Sequence, residues 1–245
     1  MIPILGIPHY NRPDLLLRCL RSIDHPIDTL VIIQNGPDDQ MPTRTEIRDA
    51  LVSVAKRVEL ICHPNAGVAG SWNEIIKLFP APWWMFVNND IQFTPDDLSK
   101  MARLAPEFQG AGMIYGNHGA SWFVITDLGV EKVGLYDENI FPAYLEDCDW
   151  ARRADLLGVR RFDIPDVHAI HGDGQLTGSC TINSDPLLAS ENARTHGLNF
   201  KYYRAKWGGN NDQETFTHPF NDPNHPLTMW HFHPAIRRAN QWKKA

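Results

Sequence analysis

The triplet Asn88-Asn89-Asp90 directly follows the apolar run Trp83-Trp84-Met85-Phe86-Val87. A carboxylate at the mouth of a buried strand can hold Mg²⁺ or Mn²⁺, hard cations that share their oxygen ligands with phosphates. Asn and Asp also end strands for conformational reasons alone, so the triplet needs partners. The segment Glu146-Asp147-Cys148-Asp149 packs three carboxylates into four residues. A helix N-terminus would relieve part of their repulsion, and the following Arg152 and Arg153 the rest. The preceding Phe141-Pro142-Ala143-Tyr144 would partly bury the carboxylates and raise a pKa toward that of a general base. An acidic first helical turn is the plainer alternative. His168-Ala169-Ile170-His171-Gly172-Asp173-Gly174 offers a histidine at a strand end, suited to metal ligation or to an ordinary surface hydrogen bond. In Asn65-Ala66-Gly67-Val68-Ala69-Gly70-Ser71-Trp72-Asn73, glycines open a helix after a strand, as where backbone approaches a phosphate or ribose. It is not a dinucleotide fingerprint, because the first required glycine falls at Asn65, and a P-loop is absent.

Alternating elements must position these clusters. The spacing predicts a strand over residues 3–8 and a helix capped by Asn11 with Pro13 in its first turn. A buried strand at residues 30–33, a helix at about 45–55 and a third strand at 58–62 follow. A helix opens near Gly67, and residues 83–87 form the fourth strand. Apolar strands alternating with amphipathic helices predict a parallel sheet covered on both faces, with ligands beyond the carboxyl ends of its strands. His9-Tyr10-Asn11, Gln34-Asn35, His63-Pro64-Asn65 and Asn88-Asn89-Asp90 all lie at such ends. Past residue 110, interleaved Gly and aromatic residues predict strands without intervening helices. A helix at 146–158 and a strand from Arg160 to Phe162 come next, and beyond Asp163 no regular pattern is readable.

The 245 residues carry 23 Lys+Arg and 29 Asp+Glu, a net charge of -6. That sign disfavours nucleic-acid binding. Residues 201–245 hold seven basic and three acidic groups, so an acidic body of -10 precedes a basic tail of +4. The apolar runs are too short to span a bilayer, and the N-terminus lacks the basic region of a signal peptide. Cys19, Cys62, Cys148 and Cys180 form no metal or disulfide spacing, and no Asn-x-Ser/Thr acceptor occurs. Together these point to a cytoplasmic, reducing compartment.

Taken in order, these segments resemble the family 2-like inverting glycosyltransferases of GT-A fold. The resemblance rests on Pro8-His9-Tyr10-Asn11-Arg12-Pro13 with Leu17, Cys19-Leu20 and Ser22, on Asn65-x-Gly67 through Asn73, and on Asn88-Asn89-Asp90 in the place of a D-x-D motif. It continues through Tyr144-Leu145-Glu146-Asp147 with Asp149, Arg153 and Gly158, and ends at Lys201-Tyr202-Tyr203-Arg204-Ala205-Lys206-Trp207-Gly208-Gly209. It implies a Rossmann-like, three-layer nucleotide-diphospho-sugar transferase fold with a mixed central sheet. The domain would cover residues 1–210, with a nucleotide-binding part to about 110, an acceptor and catalytic part over 111–210, and a basic aromatic extension at 211–245.

The implied reaction moves a hexosyl or deoxyhexosyl group from a nucleotide-sugar to a hydroxyl of a glycan or glycolipid, with inversion. The resemblance makes Asp147 the base, although the reverse assignment with Glu146 stays open. It gives Glu146 and Trp122 to the acceptor, and Asp90 with His171 to a divalent metal, Mn or Mg. Donor binding falls to Pro8, Tyr10, Gln34, Asn35, Asn65, Gly67, Asn73, Asn88, Asn89 and Lys206. Two positions depart from the family: Gln34 with Asn35 replaces an acidic residue at the second strand end, and Asn88 replaces the first acid of D-x-D. A non-catalytic glycan- or nucleotide-binding protein of the same fold is the competing reading, and a nucleotidyltransferase lacks its basic Gly-rich N-terminal loop. Trp230, Phe232, Arg237, Arg238, Trp242, Lys243 and Lys244 would suit peripheral contact with a membrane or an anionic glycolipid, or a solvated tail.

Overall fold

The computed structural model describes residues 1–51, 53–62, 64–108, 110–173 and 180–229. His63, Gly174 and the tail residues Trp230, Phe232, Arg237, Arg238, Trp242, Lys243 and Lys244 lie outside the described residues.

The apolar runs become the strands β1 (Ile2–His9), β2 (Ile27–Gln34), β3 (Ala55–Cys62) and β4 (Trp83–Val87). The helices between them are α1 (Pro13–Arg21), α2 (Arg44–Leu51) and α3 (Gly67–Leu78). β1 pairs in parallel with β2 and β4, and β2 with β3. A short strand β5 (Ile91–Gln92) and helix α4 (Asp97–Leu104) lead to the hairpin of β6 (Ala111–Gly116) and β7 (Gly119–Thr126). There the sheet becomes mixed: β7 inserts antiparallel between β4 and β6, and β8 (Arg160–Asp163) adds parallel to β6. The order is β3-β2-β1-β4-β7-β6-β8, seven strands with β3 and β8 at the edges. After β7 come α5 (Asp127–Val133), α6 (Glu146–Leu156), β9 (Ile170–His171), α7 (Cys180–Asn183) and α8 (Pro186–Trp207), with β8 between α6 and β9.

Two-residue alternation on the strands builds a core on each face. Leu5, Leu30, Ile32 and Met85 pack against Leu16 and Leu20 of α1 and Leu98 and Met101 of α4. Val31, Ile33, Phe86 and Phe123 pack against Trp72 and Ile75 of α3 and Trp150 of α6. Each such side chain fully buried is worth about 1.5–3 kcal/mol.

Three expected boundaries shift. Asn11 does not cap α1; Arg12 does, in a left-handed conformation with φ 63°. The Asn11 amide instead donates to Thr181 O and Ser184 Oγ at 2.9 and 3.2 Å, tying α1 to α7. α2 stops at Leu51, and Ala55 already opens β3, whose edge position leaves it only half buried. Finally, β7 runs directly into α5, capped by Thr126 Oγ1 accepting from Gly129 N at 3.1 Å, so the strands beyond residue 110 do not continue without a helix.

Candidate active site

The ends of β1, β2 and β4 converge on a cavity of about 290 Å³, closed on the far side by residues 142–147 and the start of α8. Its floor is locked by amides. Asn89 Nδ2 donates to His9 Nδ1 and to Asn11 O, both at 3.0 Å. His9 Nε2 therefore carries the ring proton and donates to Gln40 O at 2.8 Å. Burial holds the His9 pKa below its ordinary value against the opposing pull of the Gln40 hydrogen bond, so the ring is a neutral strut. Asn35 joins β2 to α3: its Nδ2 donates to Ser71 Oγ at 2.8 Å and its Oδ1 accepts from Ala66 N at 3.1 Å. Asn65 Oδ1 accepts from Gly67 N at 2.8 Å, starting α3.

Gly36 and Gly67 allow two backbone approaches that any side chain would block. A Cβ on Gly36 would lie 1.7 Å from Tyr10 O, where the ends of β1 and β2 meet. Gly67, at φ 73°, would place a Cβ 2.7 Å from Pro142 O. The approach that Gly67 permits is thus that of the 141–142 backbone, anchored by Val68 N donating to Pro142 O at 2.7 Å. That contact brings the segment leading into α6 against the rim formed by the strand ends.

Asp90 and His171 come together through strand pairing. β5 and β9 pair with Ile91 opposite His171, and Gly172 N donates to Asp90 O at 3.1 Å. Arg18 of α1 donates to the backbone oxygens of both Asp90, at 2.9 Å, and Gly172, clamping the two short strands. Asp90 Oδ1 then lies 3.3 Å from His171 Nε2. That nitrogen is buried and makes no aligned hydrogen bond, the condition of a ligand atom awaiting a cation. No cluster of three or more His, Cys, Asp or Glu ligands occurs among the described residues. A cation here would rely on Asp90, His171 and non-protein oxygens.

α6 begins after two consecutive left-handed residues, Tyr144 at φ 74° and Leu145 at φ 80°. Such conformations cost about 1–3 kcal/mol each and persist only where the surroundings hold them. Asn199 of α8 holds them here: its Oδ1 accepts from Phe141 N at 3.2 Å and its Nδ2 donates to Ala143 O at 2.9 Å. The turn delivers Glu146 and Asp147 to the cavity at a helix N-terminus. Glu146 is 6% exposed, and its Oε2 has no partner. Burial, with Asp147 beside it, pushes its pKa up to about 8. Asp147 is half-buried and faces both this cavity and a second, polar cleft.

Of the expected site residues, the cavity brings together Pro8, Tyr10, Asn35, Asn65, Gly67, Asn88, Asn89, Asp90, Glu146, Asp147 and His171. Four do not reach its wall. Gln34 is buried and donates to Pro37 O at 2.8 Å, shaping the turn after β2. Asn73 is spent on Tyr136, accepting from its N at 2.8 Å and donating to its O at 2.9 Å. Trp122 is core, edge-on to Phe93 at 5.1 Å. Lys206 is 2% exposed, with Nζ 2.8 Å from Asp137 and 2.6 Å from Asp149, so it cannot hold a donor diphosphate. Asp149 likewise leaves the site, bound by Arg153 Nε and Trp207 Nε1, each at 2.9 Å. The wall also includes Thr181, Ile182, Leu188, Glu191 and Asn192, which carry no sequence signal beyond the helix start at Asp185-Pro186.

The model of glycosyl transferase family 2 matches residues 5–126, from β1 to the end of β7. A galactofuranosyl glycosyltransferase of Leishmania donovani is 30% identical over 146 residues, 52% of this chain and 33% of that protein. The chain thus spans about a third of that relative's length. A mannosyltransferase from Pyrobaculum calidifontis, PcManGT, solved with GDP-Man and Mn²⁺, superposes with a TM-score of 0.53 at 16% identity, covering 71% of this chain and 59% of that one. TarS 1–349 of S. aureus gives 0.53 at 14% identity, covering 84% and 72%. At such identities the likeness shows the fold, an α/β fold with a seven-stranded mixed sheet as in GT-A glycosyltransferases. This chain belongs to glycosyl transferase family 2.

Proposed function

We propose that the protein is an inverting glycosyltransferase that moves a hexosyl or deoxyhexosyl group from a nucleotide-sugar to a hydroxyl of a glycan or glycolipid. The observation that carries this reading is the place of Asp147, where the cavity holding Asp90 and His171 meets a polar cleft. A carboxylate at that junction can take the acceptor's proton while the leaving group departs on the other side. Family membership supports the reading, as do the ligands of two fold relatives, GDP-Man with Mn²⁺ in PcManGT and UDP in TarS.

Asp90 and the unpartnered His171 Nε2 fit a divalent cation, Mn²⁺ or Mg²⁺. Such an ion neutralises diphosphate charge as the sugar–phosphate bond breaks. The chain's own part is to hold the two ligands through Arg18 and to line the cavity with the amides of Asn35, Asn65, Asn88 and Asn89. Thermal stabilisation by UDP-, GDP- and dTDP-sugars tests donor binding, because a ligand of the folded state raises its melting temperature. Mn²⁺ should increase the shift given by the true donor, and Asp90→Ala should remove that increment. Equal shifts with and without Mn²⁺ in the parent would refute the metal role. Asn88 in place of an acid favours the second reading, a protein that binds nucleotide-sugar without turning it over; donor binding with neither transfer nor hydrolysis would establish it.

The two α6 carboxylates divide by charge. Raised to about 8, Glu146 is neutral at pH 7 and can donate a hydrogen bond to a sugar hydroxyl. Above that value it ionises beside Asp147, so kcat/KM for transfer should fall as pH rises through about 8. Glu146→Gln keeps a neutral donor and should flatten that limb. Were Glu146 the base, the rate would instead rise through the same pH, and the glutamine variant would be inactive. Stability follows the same sign. Between the ordinary glutamate pKa of 4.5 and about 8, the folded chain binds more protons than the unfolded one. The Glu146 contribution therefore declines with rising pH over that window.

A further inference from the structure

We propose that the polar cleft beyond Asp147 seats the acceptor and selects sugars that are neutral or carry an ammonium group, against those bearing carboxylate, sulfate or phosphate. The inference rests on the glycosyltransferase reading and adds the acceptor's chemical class. The cleft measures about 550 Å³ and shares Ala120 and Asp147 with the donor-side cavity, so a hydroxyl presented from it meets the base directly.

The charge of its walls is lopsided. Asp147, Asp155, Asp163, Asp212 and Glu214 line it, against Arg152 and Arg161. Arg161 is committed to Asp155, with Nη2 2.8 Å from Oδ2. Arg152 Nη2 donates to Phe216 O at 2.9 Å, and its guanidinium lies over the Trp207 ring, 6.0 Å from the centroid. With both cations counted, the lining keeps an excess of three negative charges. These groups come from α6, β8 and the segment after α8, so the charge surrounds the space instead of lying on one wall.

Cys148, on the same wall, reports the resulting field. Burial pushes its thiol pKa up, and Asp147, Glu146 and Asp212 push it further. The share of that push that comes from Asp147 and Asp212 would bear on an acceptor's anion as well. Sugar hydroxyls, in contrast, can donate to these carboxylates, and an ammonium would be attracted.

The test uses the full chain with Mn²⁺ and whichever nucleotide-sugar gives the largest thermal shift. Acceptor probes are the methyl glycosides of glucose, galactose and mannose, each also supplied as its uronate and as its 2-amino derivative. Product should form from a neutral or amino member with kcat/KM at least about 10-fold above its matching uronate, the rate equivalent of 1.4 kcal/mol. The Asp163→Asn/Asp212→Asn double variant should narrow that gap at least threefold. Equal or better use of the uronate overturns the proposal, as does a gap the double variant leaves unchanged. So does the absence of product from every probe while donor hydrolysis proceeds. Failure of all nucleotide-sugars to bind would overturn the underlying glycosyltransferase reading instead.

Discussion

Asp147→Asn is expected to lower transfer by about 10²–10⁴-fold, the usual contribution of a positioned general base, while nucleotide binding stays unchanged. The amide copies the shape of the carboxylate but cannot accept the acceptor's proton. Among the described residues Asp147 belongs to none of the buried ion pairs, so the variant should melt with the parent. Its outlook onto both cavities means that nothing else in the first turn of α6 takes its place: Glu146 is fully inside and Asp149 points to Lys206. The measurement is the single-turnover rate alongside the nucleotide dissociation constant. An unchanged rate would remove Asp147 from the chemistry.

Lys206→Met should destabilise the fold by about 3–5 kcal/mol, read as a lower urea midpoint, because it leaves the buried Asp137 carboxylate without its cation. Asp137, Asp149, Arg153 and Lys206 form a buried set of two negative and two positive charges. Tyr202 OH and Asn139 complete the hydrogen bonding of Asp137 at 2.7 and 2.9 Å. Burial alone would raise the Asp137 pKa, but the Lys206 charge and hydrogen bond outweigh it and hold the carboxyl below its ordinary range. The stability from this pair is therefore present at neutral pH and is lost as pH falls into the acid range below 3.8. Adding Asp137→Asn to Lys206→Met removes the unmatched charge and should restore part of the loss. A Lys206→Met protein of parental stability but weakened donor binding would return Lys206 to the diphosphate.

The N-terminal half was legible because its signals are local. Trp83–Val87 is a strand with the bounds its apolar run predicts, and α3 opens at Gly67 as expected. The polar strand ends converge because parallel strands place their carboxyl ends on one rim. α8 escaped notice for a definite reason. Its capping residues, Asp185 with Pro186 and Gly208, are readable. Its buried face, however, runs Thr195, Asn199, Tyr203 and Lys206, a helical spacing filled mostly with polar groups, to which hydrophobic periodicity is blind. Each of these finds its meaning only through distant partners. Lys206 meets carboxylates 57 and 69 positions earlier in the chain, and Asn199 grips a turn more than 50 residues away. A lysine beside Trp-Gly-Gly looks like a ligand for a substrate until its contacts are seen. Asn73 and Trp122 misled for the same reason, since one braces a loop and the other fills the core.

Of the described strands, β3 and β8 stand at the open edges of the sheet, and both are written in charge. Lys56, Arg57 and Glu59 punctuate one, and Arg160, Arg161 and Asp163 the other. An incoming strand would have to strip water from these groups while pairing with the exposed N–H and C=O groups between them. At the β8 edge it would also crowd the cleft that Arg161 and Asp163 line. The sheet is thereby kept from growing molecule to molecule: at β8, the charges that border the polar cleft also deny a second chain a place to add its strand.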